Sequence, residues 1–188
     1  VTHKIRVKEL IEKQKLQLDA ALENMSQGLC MFDAAQRLIV CNKQYAELYG
    51  LDDDQIRPGT TLRAILEHRI AGGAAPDDAE HYIENRINDV TTNQPHQSTI
   101  RLRDGRYVSI VHRPMAGGGW VATHEDVSVA VRREESFRLL FERNPVPMWI
   151  SDRKSLRFLA VNDAAVTLYG YSRERVLAMV APDLRPAE

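Results

Sequence analysis

The chain has almost no excess charge of either sign: 25 Lys and Arg stand against 26 Asp and Glu among 188 residues, a formal net charge of −1. It lacks the basic footprint that draws proteins to phosphate backbones, so a nucleic-acid role has no electrostatic support. Long apolar runs are missing as well. The uninterrupted ones are only a few residues long, against the roughly 18 needed to cross a bilayer, so no segment is expected to span a membrane. The opening VTHKIRVKEL carries charges where a secretory leader needs an apolar core, which leaves export unsupported and predicts a cytoplasmic protein. Cysteine is scarce: Cys30 and Cys41 stand alone, on the two strands of one predicted hairpin. Without an export signal, buried reduced thiols are expected in preference to a disulfide. The triple glycine Gly117-Gly118-Gly119 lacks the Lys-Ser/Thr of a phosphate loop, and neither a nucleophile elbow nor HExxH occurs. The chain is therefore not expected to be an enzyme.

What is present is a unit used twice. Gly28 to Gly50, GLCMFDAAQRLIVCNKQYAELYG, returns in degraded form as PMWISDRKSLRFLAVNDAAVTLYG, Pro147 to Gly170. Asn42, Leu48, Tyr49 and Gly50 match Asn162, Leu168, Tyr169 and Gly170 at a constant offset of 120. Leu29 to Phe32 and Leu38 to Cys41 are short and apolar, and the polar stretch from Asp33 to Arg37 fits a hairpin loop. Asn42 then changes the period. As an N-cap its side chain accepts a backbone N–H of the next turn; Tyr45, Leu48 and Tyr49 follow at helical spacing, and Gly50 is placed to end the helix.

Residues 4–25 form one long helical pattern without Gly or Pro, with Ile11, Leu18 and Met25 alternating with Val7, Gln14 and Ala21 at coiled-coil spacing. It is expected to pair with its twin in a homodimer, or to cover the outer face of the sheet with its last turns. Its basic start also admits a site just inside a membrane, tethered by a segment this chain does not contain. After Gly50, Thr60 or Thr61 caps a helix carrying Leu62, Ile65, Leu66 and Ile70, stopped by Gly72-Gly73. Pro76-Asp77 opens another through Tyr82, Ile83, Ile87 and Val90, ending near Asn93-Gln94-Pro95. The period then returns to two: Ser98 to Leu102, Tyr107 to Arg113 and Trp120 to Glu125 read as three antiparallel strands joined by Gly-containing turns. Two strands, several helices and three strands make an α+β pattern with helices across one sheet face. From Val127 to Arg143 a second long helix, with Phe137, Leu140 and Phe141 as its stripe, leads to Asn144-Pro145. The expected domains are a coiled-coil-like helix at 1–25, a complete domain at 26–128, a linker helix at 129–144 and an incomplete second domain at 145–188. The last is too short to build an independent core, so it is expected to be loosely held or completed by another chain.

These residues resemble a PAS domain, the bacterial sensory module, over about residues 20–128. The hairpin, the Asn42-capped helix and the closing Glu125-Asp126-Val127-Ser128 carry the resemblance; the family commonly ends its last strand with Asp-Ile-Thr, from which Val127 and Ser128 depart mildly. The stretch GWVATHEDVS, Gly119 to Ser128, resembles a subgroup found at the front of diguanylate cyclases, cyclic-di-GMP phosphodiesterases and sensor histidine kinases of two-component systems. None of those effectors is in the chain. The second unit, ending at Asp183-Leu184-Arg185-Pro186, resembles the opening of another PAS domain, as in a tandem array.

The resemblance implies a five-stranded antiparallel sheet in the order 2-1-5-4-3, with a small-molecule pocket between its inner face and the helices. Its geometry directs Cys30, Phe32, Ile39 and Cys41 of the hairpin inward, to be joined by Tyr45 and Tyr49, by Leu62 and Ile65, and by Ala122 and His124 beside Trp120. His124 would hydrogen-bond a polar ligand and Arg113 would hold a carboxylate; the competing reading is a histidine satisfied within the sheet and a solvated arginine. Asp126, Val127 and Ser128 would relay a shift of the last strand into the following helix and a downstream effector, unless Asp126 or Ser128 merely caps that helix. The Asn-Cys-Arg-Phe-Leu-Gln motif of flavin-binding light-oxygen-voltage members is missing, since no cysteine lies between Gly50 and Asn93. For haem, only His68 and His81 sit at suitable places, both in polar neighbourhoods. His112 and His124 are not expected to face each other across their strands, which argues against a metal. The alternative to a ligand sensor is a ligand-free module that sets dimer geometry.

Overall fold

The computed structural model describes residues 2–92 and 94–184. Asn93 of the expected turn and Arg185 and Pro186 at the end of the second unit lie outside the described residues, as do the side chains of Val7 and Glu80. The described chain divides after Ser128 into two compact units.

The first unit opens with helix α1 (Thr2–Glu23), then strands β1 (Gly28–Phe32) and β2 (Leu38–Cys41). Helices α2 (Lys43–Tyr49), α3 (Leu62–Ala71) and α4 (Ala79–Thr91) follow, and strands β3 (His96–Arg101), β4 (Tyr107–Pro114) and β5 (Trp120–Asp126) close the unit. The five strands form one antiparallel sheet in the order β2-β1-β5-β4-β3, the order the resemblance implies. Strand alternation fills one face: Cys30, Phe32, Val108, Ile110, Trp120 and Ala122 are buried against Tyr45, Tyr49, Leu62, Ile65, Leu66 and Tyr82 from the helices.

The helix boundaries follow from their caps. Asn42 accepts from the Tyr45 N–H and Thr61 from the Ala64 N–H, while Asp78 accepts from the His81 N–H. Gly50 closes α2 at φ 62°, donating to the Ala46 and Glu47 carbonyls. Gly119, at φ 76° in the β4–β5 hairpin, lies where an added Cβ would stand 2.7 Å from the Asp33 carbonyl carbon and 2.9 Å from its Cα. Only glycine lets that hairpin lie against the β1–β2 loop.

One expectation is corrected here. The register of β1 against β2 slips between Met31 and Phe32, so that Phe32 faces Leu38. Ile39 is the extra residue of this bulge; Leu38 turns inward in its place and Ile39 is 46% exposed. Along α1, Leu10, Ile11, Leu16 and Leu18 are exposed, while its last turn is fastened to the unit, the Leu22 and Glu23 carbonyls accepting from the Asn42 and Gln44 side-chain amides. Among the described residues no helix is long and apolar enough to cross a membrane.

Helix α5 (Ser128–Glu142) starts one residue later than its periodicity predicts. In the second unit, strands β6 (Trp149–Ser151) and β7 (Phe158–Val161) pair, and helices α6 (Asp163–Tyr169) and α7 (Arg173–Leu177) follow. This unit buries a small cluster of Phe158, Val161, Ala165 and Val176 despite its length. Arg173 on α7 adds a two-pronged contact to Glu142, at 3.0 and 2.9 Å. The repeat is structural as well as sequential: Asn162 caps α6 and Gly170 ends it in the left-handed conformation, as Asn42 and Gly50 do for α2.

Candidate functional site

On α3 the apolar residues Leu62, Ile65 and Leu66 define the buried face, and the next residue at that helical spacing is Arg69. The helix therefore carries a guanidinium into the core, where Arg69 is only 2% exposed. Its Nη1 donates to the Tyr82 hydroxyl at 3.0 Å and its Nη2 to the Tyr45 hydroxyl. The guanidinium lies 3.4 Å from the centre of the Tyr49 ring and 4.9 Å from that of Tyr45, a double cation–π contact. Its Nε has no partner.

The network continues to the sheet. Tyr49 shares a 2.7 Å hydrogen bond with His124 Nδ1, and His124 Nε2 lies 3.5 Å from the Cys30 sulfur. Tyr45 and Tyr49 both meet the His124 ring edge-on. On the neighbouring strand His112 is also buried, and its Nδ1 is unpartnered. On α4, Arg86 pairs with Asp89 at 2.7 Å and donates to the Ser98 hydroxyl at 3.1 Å.

Burial sets the protonation of this group. It pushes the Cys30 thiol up to about 12, against the pull of Arg69, and raises the Tyr45 and Tyr49 hydroxyls above their ordinary range. It lowers His112 to about 4, helped by Arg86, and holds His124 well below its usual value, helped by Arg69. At neutral pH the tyrosines, histidines and thiol are all uncharged. Arg69 remains a buried cation, and among the described residues no carboxylate is paired with it.

Cys30, Tyr45, Arg69, Arg86, His112 and His124 line an internal cavity of about 20 Å³. One water needs roughly 10–15 Å³ of such space, so the side chains nearly fill their own pocket. His124 also borders a surface groove of about 310 Å³, together with Gln44, Glu47 and Asp126.

Of the residues predicted from sequence, Cys30, Tyr45, Leu62 and His124 line the cavity, and Phe32, Tyr49, Ile65 and Ala122 are buried in the same core. Cys41 is half-buried against it. Ile39 points away because of the bulge. Arg113 is also corrected: His112 takes the inward place on β4, so alternation turns Arg113 outward, where it is exposed beside Val111 and Pro114. The buried guanidinium is instead Arg69, which was not singled out from the sequence and whose signal was its helical spacing from Leu62. His68 and His81 are exposed. His112 faces Ala122 and His124 faces Ile110 across the strands. Among the described residues no three His, Cys, Asp or Glu side chains gather as metal ligands would.

At the exit from β5, Asp126 accepts from the Ser128 N–H at 2.9 Å and from its hydroxyl. Ser128 Oγ in turn accepts from the Tyr107 N–H at 2.8 Å, and Val127 donates to the Tyr107 carbonyl at 2.9 Å. The start of α5 is thus tied to the first residue of β4. At the other end, Asn42 uses its whole amide. Its oxygen accepts from Leu29 at 2.7 Å and Tyr45 at 3.1 Å, and its nitrogen donates to the Leu22 and Gln27 carbonyls at 3.1 and 2.9 Å.

A family model described as PAS fold matches residues 22–135, more than half of the chain, and one described as PAS domain matches residues 135–187. The chain is 27% identical over 124 residues to the non-motile and phage-resistance protein of Caulobacter vibrioides, a match covering 63% of this chain and only 13% of that protein. Among solved structures, it is similar to the PAS domain of Bordetella pertussis BvgS, at 18% identity and a TM-score of 0.47, covering 67% of this chain and 97% of that one. It is also similar to the PAS domain of an HTR-like protein from Haloarcula marismortui, at 18% identity and a TM-score of 0.42, covering 64% and 98%.

Proposed function

Because the chain belongs to the PAS fold family over residues 22–135, we propose that it is a sensory input module of a bacterial signal-transduction protein. It takes a small ligand in the cavity at Arg69 and passes the effect through β5 and α5 to an effector outside this chain. That effector is a cyclic-di-GMP enzyme or a histidine kinase. The observation that carries the reading is the chain of contacts from Arg69 through Tyr49 to His124, which stands on β5 two residues before Asp126. A change at the guanidinium moves the strand that runs into α5, and Asp126, Val127 and Ser128 hold that junction to β4.

The module works as a homodimer in this reading. The exposed Ile11 and Leu18 of α1, and Phe137 and Leu140 of α5, are the apolar surfaces a second copy covers. Native mass spectrometry of the purified chain tests ligand and dimer together, and a dimer with added mass is the expected result. In the full-length protein, Asp126→Ala is expected to uncouple effector switching from the signal. Unchanged switching with a modest stability loss reduces Asp126 to a structural turn residue.

The small cavity favours a second reading, a ligand-free module that sets dimer geometry and spacing. A bare dimer whose effector switches normally supports it.

A further inference from the structure

We infer that the cavity at Arg69 takes a small planar carboxylate, of formate to acetate size, as the counter-ion the guanidinium lacks; this deepens the sensory reading and rests on it. The first argument is charge. An ion removed from water is costly unless it is paired, and among the described residues no carboxylate pairs with Arg69: the groups touching it are the hydroxyls of Tyr45 and Tyr82 and the rings of Tyr45 and Tyr49. Arg86, the other guanidinium lining the cavity, already has Asp89. A water satisfies hydrogen bonds at this spot but leaves the charge unmatched.

The second argument is the unpartnered nitrogens, a guanidinium donor and an imidazole nitrogen that donates when its Nδ1 carries the ring proton. Arg69 Nε and His112 Nδ1 are both buried without a partner, and both residues line the same cavity. Arginine N–H groups form a flat fork that fits two carboxylate oxygens. Size restricts the choice further: about 20 Å³ holds one or two water-sized groups, so formate or acetate enters only as His124 shifts toward the outer groove, and the bulkier tetrahedral sulfate is disfavoured. A route is present too, since His124 borders both the cavity and the outer groove, held there by its contacts to Tyr49 and Cys30 and by the ring edge of Tyr45.

Trp120 lines the cavity and is one of two tryptophans, so Trp149→Phe leaves it as the sole indole reporter. Sodium formate and sodium acetate are titrated into this variant at neutral pH, with sodium sulfate holding ionic strength constant. The expected result is a saturable one-to-one change in Trp120 emission, a parallel rise in Tm, and at least tenfold weaker binding in Arg69→Gln. If Arg69→Gln does not fold, saturation-transfer NMR of the formate proton on the unaltered chain, displaced by acetate, gives the same answer. No saturable response in emission, Tm or NMR, or an unchanged response in folded Arg69→Gln, overturns the inference. A neutral ligand retained from cells by both proteins also overturns it, yet leaves the sensory reading standing. No ligand of any kind, with normal effector switching, overturns both.

Discussion

Replacing Asn42 with Ala removes four hydrogen bonds at once, and the expected loss is far larger than a helix cap. The cap to Tyr45 alone is worth about 1 kcal/mol. The second acceptor bond, from the Leu29 N–H, and the two donor bonds to Leu22 and Gln27 each contribute about 1 kcal/mol more when their partners stay buried. Asn42 is 2% exposed, so little water reaches the groups it leaves behind. The expected cost of Asn42→Ala is therefore about 3–4 kcal/mol. Asn42→Asp keeps both acceptor bonds and loses both donors, and it is expected to cost about 2 kcal/mol at neutral pH. Urea unfolding followed by Trp120 emission in a Trp149→Phe background measures both values for the first unit. A loss of only about 1 kcal/mol for Asn42→Ala, equal to that for Asn42→Asp, refutes the reasoning and leaves a plain N-cap. The repeat supplies an internal control. Asn162 makes the same four bonds, accepting from Met148 and Ala165 and donating to the Asn144 and Val146 carbonyls. Trp149 emission in a Trp120→Phe background should report a comparable loss for Asn162→Ala in the second unit.

Three further outcomes are expected. Stability should fall with acid: His112 and His124 have folded-state values below the unfolded 6.5, so the unfolded chain binds more protons and is favoured as pH drops from about 6.5 to 4. His112, surrounded by Arg86, Asp89, His96 and Arg69, contributes about 3 kcal/mol over that window, and a flat stability–pH profile there refutes its burial as a neutral ring. Gly119→Ala should cost about 3 kcal/mol by thermal unfolding, from its φ of 76° and the Asp33 backbone behind it; a neutral effect shows that the two loops do not touch. Cys30 and Cys41, raised to about 12 and about 11 chiefly by burial, should resist iodoacetamide in the folded chain at neutral pH, with Cys41 reacting first. Prompt labelling of Cys30 by mass spectrometry contradicts the packed core.

Periodicity made the strands and helices readable because each element buries one face and its side chains announce that face. Leu62, Ile65 and Leu66 located α3, and the alternation from Trp120 to His124 located the inner side of β5. Ile39 was misplaced because alternation assumes an unbroken register, and a bulge is a backbone event without a side-chain signature. Arg113 turns outward for a different reason: Val108, Ile110 and His112 take the inward positions of β4, and alternation leaves position 113 on the other face. Arg69 was hidden by its neighbours, since Glu67 and His68 are exposed and make the stretch look solvated. Hydropathy says that arginine belongs outside, whereas geometry places it one helical step beyond Leu66 on the buried face. The two rules conflict at one residue, and helix geometry prevails because turning Arg69 outward would expose Leu62, Ile65 and Leu66 along with it. A buried charge kept at that cost rests on tyrosine hydroxyls and ring faces in place of a carboxylate, which is why a carboxylate ligand is proposed to complete it.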